Sequence, residues 1–128
     1  MIVVSAGVIR RGGKFLLCQR NEGAHQELLW EFPGGKLEEG ESPESALERE
    51  LREELNIETR AGRVLDAVFH RYPGRDVLVV FLESELASGE PQPVDCRALQ
   101  WVSPEALFAK PLAPADAVFA NRFFKSDS

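Results

Sequence analysis

The sequence predicts an α/β domain in which a mixed β-sheet lies between helices in three layers. Apolar segments with strand character alternate along the chain with segments that have helical periodicity. One of the strands, from Val77 to Leu82, is apolar on both faces, so both of its sides must be covered. A sheet covered by helices on both faces satisfies this requirement.

The composition is that of one globular domain spanning residues 1–128, with 44% apolar and 28% charged residues. No apolar run approaches the roughly 18 residues of a membrane helix. The N-terminal segment lacks the positive residues that open a signal peptide. Cys18 and Cys96 have no CxxC spacing, which favours reduced intracellular thiols over a disulfide framework or a zinc site. We therefore expect a cytoplasmic protein.

The formal net charge is −6, and the basic residues are scattered along the chain. A protein that grips a nucleic-acid backbone usually carries a basic patch, so we expect no nucleic-acid polymer as partner. If the ligand is a small anion, a bound cation is the obvious way to hold it.

The first quarter of the chain predicts short strands joined by glycine turns. Ile2 to Ile9 and Phe15 to Gln19 predict two strands on either side of the Gly12-Gly13 turn. Trp30 to Phe32 predicts a short extended segment. Pro33-Gly34-Gly35 is expected to interrupt regular structure, because glycine permits positive φ and close approach of the backbone.

The clearest helix is predicted at about residues 43–55. Ser42 is suited to the N-cap, and Pro43 occupies the favoured first helical position. Asn56 tolerates the left-handed conformation that ends many helices. The buried stripe recurs every four residues and consists of Leu47, Leu51 and Leu55.

The second half of the chain alternates between the same two kinds of element. Further strands are predicted at Val64 to Tyr72, Val77 to Glu85 and Leu99 to Val102. Pro73-Gly74 suits a type II turn between the first two of them. Two helices are predicted, one starting at Ser103-Pro104 and one over Pro114 to Phe124.

Three acidic side chains occupy one face of the main helix. Glu50, Glu53 and Glu54 stand at positions i, i+3 and i+4. Like charges at this spacing destabilise a helix by about 0.2–0.5 kcal/mol per pair, and Arg49 and Arg52 offset only part of that. A magnesium ion, which prefers oxygen ligands, would offset more. Taken alone, the triplet also fits a solvated helix surface.

The surrounding residues resemble the Nudix box. Gly35, then Glu41, then the run Arg49 to Ile57 match eight of the nine fixed positions of that signature with the spacing intact. The departure is Asn56, where the family usually has glycine. Since asparagine also adopts the left-handed conformation, no functional loss is expected.

The resemblance implies the Nudix fold and hydrolysis of a nucleoside diphosphate linked to another group. It implies that Mg²⁺, or Mn²⁺ in its place, is bound by Glu50, Glu53 and Glu54 with the carbonyl of Gly35. It also assigns Glu50 as the usual base. Arg49 joins these glutamates in the catalytic set as a support, because it can pair with Glu41 and lock the loop onto the helix; an ordinary surface pair is the alternative.

Further residues resemble the MutT-type branch of the family. These are the segments Trp30 to Lys36 and Pro111 to Asp116, together with Trp101. This similarity implies that a nucleoside triphosphate is split into a monophosphate and pyrophosphate. The expected role is removal of unwanted nucleotides from the pool, either 8-oxo-dGTP or cytidine-type triphosphates.

The branch also implies residues that contact the ligands. Asp95 falls where the branch has a further metal-binding glutamate, or else it is an ordinary loop residue. The substrate-binding candidates are Arg20, Phe32, Tyr72, Arg75 and Asp116. The two arginines also fit solvated strand ends, and Tyr72 also fits a hairpin cap. His25 and His70 have no partner at ligand or triad spacing and receive no role.

Asp116 is the candidate for reading the base. The branch prototype has asparagine there, which offers a donor and an acceptor, whereas an ionised aspartate offers only acceptors. Asp116 should therefore favour a base with an exocyclic amine, while a protonated aspartate would leave oxidised guanine possible. The alternative is that Asp116 only caps the C-terminal helix.

Two other functions remain open at this stage. One is hydrolysis of another nucleoside diphosphate derivative, such as ADP-ribose or a dinucleoside polyphosphate. The other is a non-catalytic Nudix binding module, which the complete set of box acids disfavours. In each case the expected partner is a small nucleotide rather than a membrane, and the chain is expected to be a monomer or a homodimer.

Overall fold

A computed structural model describes residues 1–124 and follows the predicted alternation of elements. The strands are β1 (Ile2–Arg11), β2 (Lys14–Gln19), β3 (Trp30–Glu31), β4 (Gly34–Lys36), β5 (Glu58–Tyr72), β6 (Arg75–Ser88) and β7 (Ala98–Val102). The helices are α1 (Pro43–Leu55), α2 (Pro104–Leu107) and α3 (Pro114–Phe123). None of these helices is long and apolar enough to cross a membrane.

Strand β1 is the centre of the sheet. The strand order is β3-β2-β1-β6-β5, and β1 pairs in parallel with β6 but antiparallel with β2 and β4. The sheet is therefore mixed, as predicted. The β1–β2 hairpin pairs only at Arg10–Phe15 and Arg11–Lys14 before β2 turns away to pair with β3 and β7. In the part of β1 from which β2 has diverged, at Val4 to Ala6, β4 is the antiparallel neighbour instead.

Strand β6 separates two apolar cores, which confirms that it is a central strand covered on both sides. Val79 and Phe81 belong to the core beneath α3, together with Phe119. Val80 and Leu82 belong to the core beneath α1. The alternation follows from the two-residue period of a strand, and it produces the predicted α/β/α layers.

Helix α1 has the predicted bounds because both of its ends are capped locally. The Ser42 hydroxyl accepts the N–H of Ser45, and the Ser45 hydroxyl accepts the N–H of Ser42 in return. At the other end Asn56 has φ 57° and ψ 43°, and its N–H donates to the carbonyl of Arg52. The leucine stripe between the caps is fully buried.

The expectation that Pro33-Gly34-Gly35 interrupts regular structure is wrong for the two glycines. Gly34 and Gly35 begin β4 and pair with Ala6 and Ser5 of β1. Glycine is required for this pairing, since a Cβ on Gly34 would lie 1.9 Å from the carbonyl oxygen of Ser5. The glycines therefore serve close approach of the backbone within a strand.

The β5–β6 hairpin is longer than its apolar residues predict. β5 begins at Glu58 and β6 ends at Ser88, whereas the predicted strands begin at Val64 and end at Glu85. Register shifts on both sides of Val64 let the backbone ladder continue through this polar region. The hairpin turns at Gly74, whose φ of 87° suits the predicted turn.

The left-handed cap of α1 generates the first testable prediction. Asn56→Ala should lower the free energy of unfolding by about 1 kcal/mol, because a Cβ is disfavoured in this conformation and alanine lacks the polar side chain that compensates. Asn56→Gly should preserve or slightly raise it. Urea denaturation of the two variants measures the difference. Since Asn56 is exposed, equal losses in both variants would contradict a conformational origin.

Candidate active site

The three glutamates of α1 occupy three different environments. The side chain of Glu53 is 61% exposed, whereas that of Glu50 is 19% exposed. Glu54 is partly buried against the segment that precedes β7. Their common helix face therefore extends from solvent towards the core, so the three carboxyl groups have different chemical properties.

Glu50 packs directly on the backbone of β4. A Cβ built on Gly35 would lie 2.3 Å from the carboxyl carbon of Glu50, so only glycine leaves room for this side chain. Burial raises the pKa of Glu50, the positive charge of Arg49 opposes that shift, and Glu53 adds to it. Gly35 and Glu50 are thus brought together as predicted.

Glu54 carries the strongest electrostatic perturbation on α1. Burial raises its pKa to about 9, and the charges of Glu31, Cys96, Glu50 and Asp95 contribute in the same direction. The backbone carbonyl of Glu54 accepts the N–H groups of Val94 and Asp95, at 3.1 and 3.2 Å. The fold therefore brings Asp95 beside Glu54, and a cation bound among these closely placed acidic groups would favour their ionised form.

Arg49 links the box residues to one another. Its guanidinium donates to Glu41 at 2.6 and 2.9 Å and to the carbonyl of Lys36 at 3.0 Å. It also pairs with Glu53 at 3.3 Å. The predicted Arg49–Glu41 pair is therefore present, and it fastens the loop before α1 to the helix. The hydrogen bonds from Arg49 and from the N–H of Glu38 lower the pKa of Glu41 to about 2.

Among residues 1–124, no three histidine, cysteine, aspartate or glutamate side chains lie close enough together to hold a metal ion. The donor chemistry nevertheless suits a hard cation, since the candidate ligands are all carboxylate or carbonyl oxygens. The metal-ligand assignment stays a prediction.

A pocket of about 230 Å³ adjoins the acidic face of α1. All five predicted substrate contacts line it, namely Arg20, Phe32, Tyr72, Arg75 and Asp116. Gly35 and Glu31 line it as well. The glutamates of α1 do not line the pocket themselves, but Glu50 packs on Gly35 and the charge of Glu31 acts on Glu54, so the acidic face adjoins the pocket through these two lining residues.

Asp116 lines the pocket and is only 5% exposed. Its carboxylate accepts the N–H of Phe32 at 2.8 Å. Burial raises its pKa well above the usual range, and the charge of Glu31 contributes. The alternative that Asp116 only caps the C-terminal helix is wrong, because the N-cap of α3 is Ala113 and no side chain caps it.

Glu31 is a site residue that the sequence reasoning missed. Its carboxylate forms two hydrogen bonds of 3.1 Å with Arg20, and burial raises its pKa. It perturbs both Asp116 and Glu54 and so connects the two ends of the site. A charged residue between Trp30 and Phe32 in an extended segment was the available signal.

The aromatic candidates have different positions. The ring of Phe32 is 2% exposed and packs on Phe81 and Phe119, so it is largely a core residue that presents its backbone to Asp116. Tyr72 lies at the end of β5 and makes edge contacts with His25 and His70. Burial raises the pKa of Tyr72, with a contribution from Asp116.

A larger groove of about 450 Å³ lies elsewhere, between the far end of β1, the irregular part of the β5–β6 hairpin and Phe123. None of the predicted site residues lines it. Arg60 and Arg63 on its wall pair with Glu85 and Glu83. The smaller pocket is therefore the candidate active site despite its size.

The Glu41–Arg49 pair generates a prediction for the pH dependence of stability. A carboxyl whose pKa falls from 4.5 to about 2 on folding stabilises the protein above pH 4.5, and this contribution is lost as the pH falls towards 2. Glu41→Gln should therefore lower the free energy of unfolding at neutral pH, and its deficit should shrink in acid.

Urea denaturation over a pH series measures that deficit. The control is Glu39→Gln, which removes an exposed charge two residues away. A Glu41→Gln deficit that is the same at every pH would show that the ionised pair is not its cause.

Comparison with known proteins agrees with this geometry. The family model of the NUDIX domain matches residues 1–123. The CTP pyrophosphohydrolase of Escherichia coli K12 is 42% identical over 123 residues, which cover 96% of this chain and 91% of that protein. The 8-oxo-dGTP diphosphatase of Haemophilus influenzae is 37% identical over 123 residues, covering 95% and 90% respectively.

Solved structures give the same result. The solution structure of the E. coli ORF135 protein superposes with a TM-score of 0.80 at 39% identity and covers 100% of this chain and 95% of that one. The crystal structure of the MutT protein from Methanosarcina mazei Go1 has a TM-score of 0.87 at 25% identity and covers 95% and 91%. The chain therefore belongs to the Nudix family.

Proposed function

We propose that this protein is a magnesium-dependent pyrophosphohydrolase that splits a nucleoside triphosphate into a monophosphate and pyrophosphate. Its role would be to clear oxidised or non-standard nucleotides from the pool. The observation that carries the proposal is that the pocket containing Asp116 extends to Gly35, on which Glu50 of the acidic face packs. The names of the MutT-type relatives, CTP pyrophosphohydrolase and 8-oxo-dGTP diphosphatase, support this reaction.

The proposed metal ligands are Glu50, Glu53, Glu54 and Asp95 with the carbonyl of Gly35. Nudix hydrolases generally need a divalent metal, and the oxygen donors and excess negative charge here fit Mg²⁺, with Mn²⁺ as substitute. When bound, such an ion neutralises phosphate charge and lowers the pKa of a coordinated water. Glu53 would have to exchange its contact with Arg49 for this role.

The residues of the chain then have separate tasks. Glu50 is the proposed base, because its buried position raises its pKa and makes it a better proton acceptor. Arg49 holds the end of β4 at Lys36 and the following loop at Glu41 against α1, which keeps Gly35 beside Glu50. Arg20 and Arg75 line the pocket and are the proposed phosphate or base contacts.

Asp116 is the proposed base-reading residue. As a carboxylate it accepts hydrogen bonds from an exocyclic amine, as in cytosine. Its raised pKa also favours a protonated form, which donates to a carbonyl such as that of oxidised guanine. The two relatives reported above carry names that correspond to these two classes of base.

We also propose the cytoplasm as the compartment, because nucleoside triphosphates are abundant there and both cysteines are free thiols. A small nucleotide remains the proposed partner. The single-domain organisation and the monomeric or homodimeric state stay predictions.

A pyrophosphate-release screen tests the proposed function. It would compare ordinary ribo- and deoxyribonucleoside triphosphates, 8-oxo-dGTP and modified cytosine nucleotides in the presence of magnesium. ADP-ribose and a dinucleoside polyphosphate serve as the alternative substrates. A preference for one triphosphate supports the proposal. Activity only on the alternative substrates would agree with the proposed metal site but contradict the assignment to the MutT-type branch. If the protein binds metal but hydrolyses none of these nucleotides, a non-catalytic binding module is favoured.

The metal-ligand assignment predicts a large loss in Glu53→Gln and Glu54→Gln. We expect kcat/KM to fall by about 100-fold or more in each variant, with a parallel weakening of Mn²⁺ binding in titration calorimetry. A chelator should abolish activity in the unaltered protein. Glu44→Gln, on an exposed part of the same helix, is the matched control. Unchanged activity in Glu53→Gln would remove that residue from the ligand set.

The base-reading assignment predicts that Asp116→Asn alters the ranking of bases more than the maximal rate. The reason is that the amide supplies a fixed donor and acceptor whatever the pH. The change in preference should be on the order of 10-fold or more between cytosine and oxidised guanine nucleotides. Equal losses for every nucleotide would contradict this role. The amide oxygen of the variant can still accept the N–H of Phe32, so its melting temperature should stay close to that of the unaltered protein. Thermal denaturation therefore shows whether a loss of activity comes from misfolding.

A further inference from the structure

The two cysteines, 78 positions apart in sequence, meet beside the acidic face of α1. Cys18 lies on β2 and is fully buried, while Cys96 lies in the segment before β7 and is half-buried. Both side chains pack in the core beneath α1, and the N–H of Arg97, the neighbour of Cys96, donates to the carbonyl of Gln19, the neighbour of Cys18, at 3.0 Å. Both are free.

The backbone explains why they meet. β2 and β7 pair antiparallel, so that Gln19 stands opposite Ala98. The N–H of Arg97 donates to the carbonyl of Gln19 at 3.0 Å, and the Cys96 thiol contacts the carbonyl of Ala98 at 3.6 Å. The chain therefore folds back over the end of the ladder and brings Cys96 next to Cys18.

The same segment is docked on the C-terminal end of α1. The N–H of Gln92 donates to the carbonyl of Leu55, and those of Val94 and Asp95 donate to the carbonyl of Glu54. Residues 92–97 thus bridge the helix that carries the proposed metal ligands and the strand that carries Cys18. A movement of the Cys96 backbone would therefore also move Asp95, the preceding residue, and its hydrogen bond with the carbonyl of Glu54.

We propose that Cys18 and Cys96 form a reversible disulfide that lowers the activity of the site under oxidising conditions. Hydrogen peroxide, as the oxidant, converts the accessible Cys96 thiol to a sulfenic acid and releases one water. The Cys18 sulfur then attacks the Cys96 sulfur, the S–S bond forms, and the sulfenic oxygen leaves as a second water. Two thiols lose two electrons and two protons, and one peroxide is reduced.

The geometry predicts where the structural change falls. A disulfide requires an S–S separation of about 2.05 Å, so the two free thiols must move closer together for the bond to form. Cys18 is held within a strand paired on both sides, by β3 and β7. The movement therefore falls on residues 92–97, and misplacement of catalytic groups by about 1 Å can reduce rates by about 100-fold. The loss of activity rests on the proposed function, whereas formation of the disulfide does not.

The test treats the folded, reduced protein with hydrogen peroxide, blocks remaining thiols with iodoacetamide, and digests it with trypsin. Mass spectrometry should detect the peptide 15–20 joined to the peptide 76–97, and a reductant should separate them. Nucleotide hydrolysis should fall by about 10-fold or more on oxidation and recover on reduction. Mn²⁺ binding, measured by calorimetry, should weaken in parallel.

Cys96→Ala is the matched control, since it removes one half-buried thiol and leaves the buried core residue in place. Before treatment its hydrolysis should equal that of the unaltered protein, and after treatment it should be unchanged. Recovery of both cysteines as alkylated thiols, or of Cys96 as a sulfonic acid beside an intact Cys18, would overturn the disulfide. A disulfide that leaves both hydrolysis and Mn²⁺ affinity unchanged would overturn the regulatory effect. If the reduced protein hydrolyses no nucleotide, the proposed function fails, while the peptide masses and Mn²⁺ affinity still decide the inference.

Discussion

The contact between the Glu50 carboxyl and the backbone of Gly35 is the constraint around which the site is assembled. It requires a residue without a side chain, because a Cβ there would lie 2.3 Å from the carboxyl group. It also requires that β4 pairs with β1 and that α1 begins at a fixed place. The buried hydroxyl of Ser5 on β1 secures the latter by donating to the carbonyl of Pro43 at 2.8 Å. Sheet, loop and helix therefore converge on one pair of residues.

The charges of the site are balanced unevenly. Arg49 neutralises Glu41 and Glu53, and Arg20 neutralises Glu31. Glu54 is buried, which is the main reason that its pKa rises to about 9, and the charges of the neighbouring carboxyl groups add to the rise. Buried carboxyl groups without a positive partner destabilise a fold, and the fully buried leucine stripe of the same helix supplies apolar burial that offsets this cost.

Glu31 joins the two chemical functions of the site. Its carboxyl influences Asp116 in the pocket and Glu54 on the acidic face of α1. Its position on β3 also places it opposite Cys18 of β2 in the ladder between these two strands. The charge of Glu31 on this short strand therefore acts on Asp116, on Glu54 and on Cys18.

The sequence alone determined the features that depend on neighbouring residues. The bounds of α1, its Ser42 cap, its left-handed Asn56 and the position of the glutamates all follow from local spacing. The tertiary structure alone decided the rest. Asp116 meets Phe32 across 84 positions, and Glu31 and Cys96 acquire their surroundings from strands distant in sequence. Local patterns carry no information on which distant backbone groups become neighbours, because the divergence of β2 from β1 and the packing of both cores set those distances.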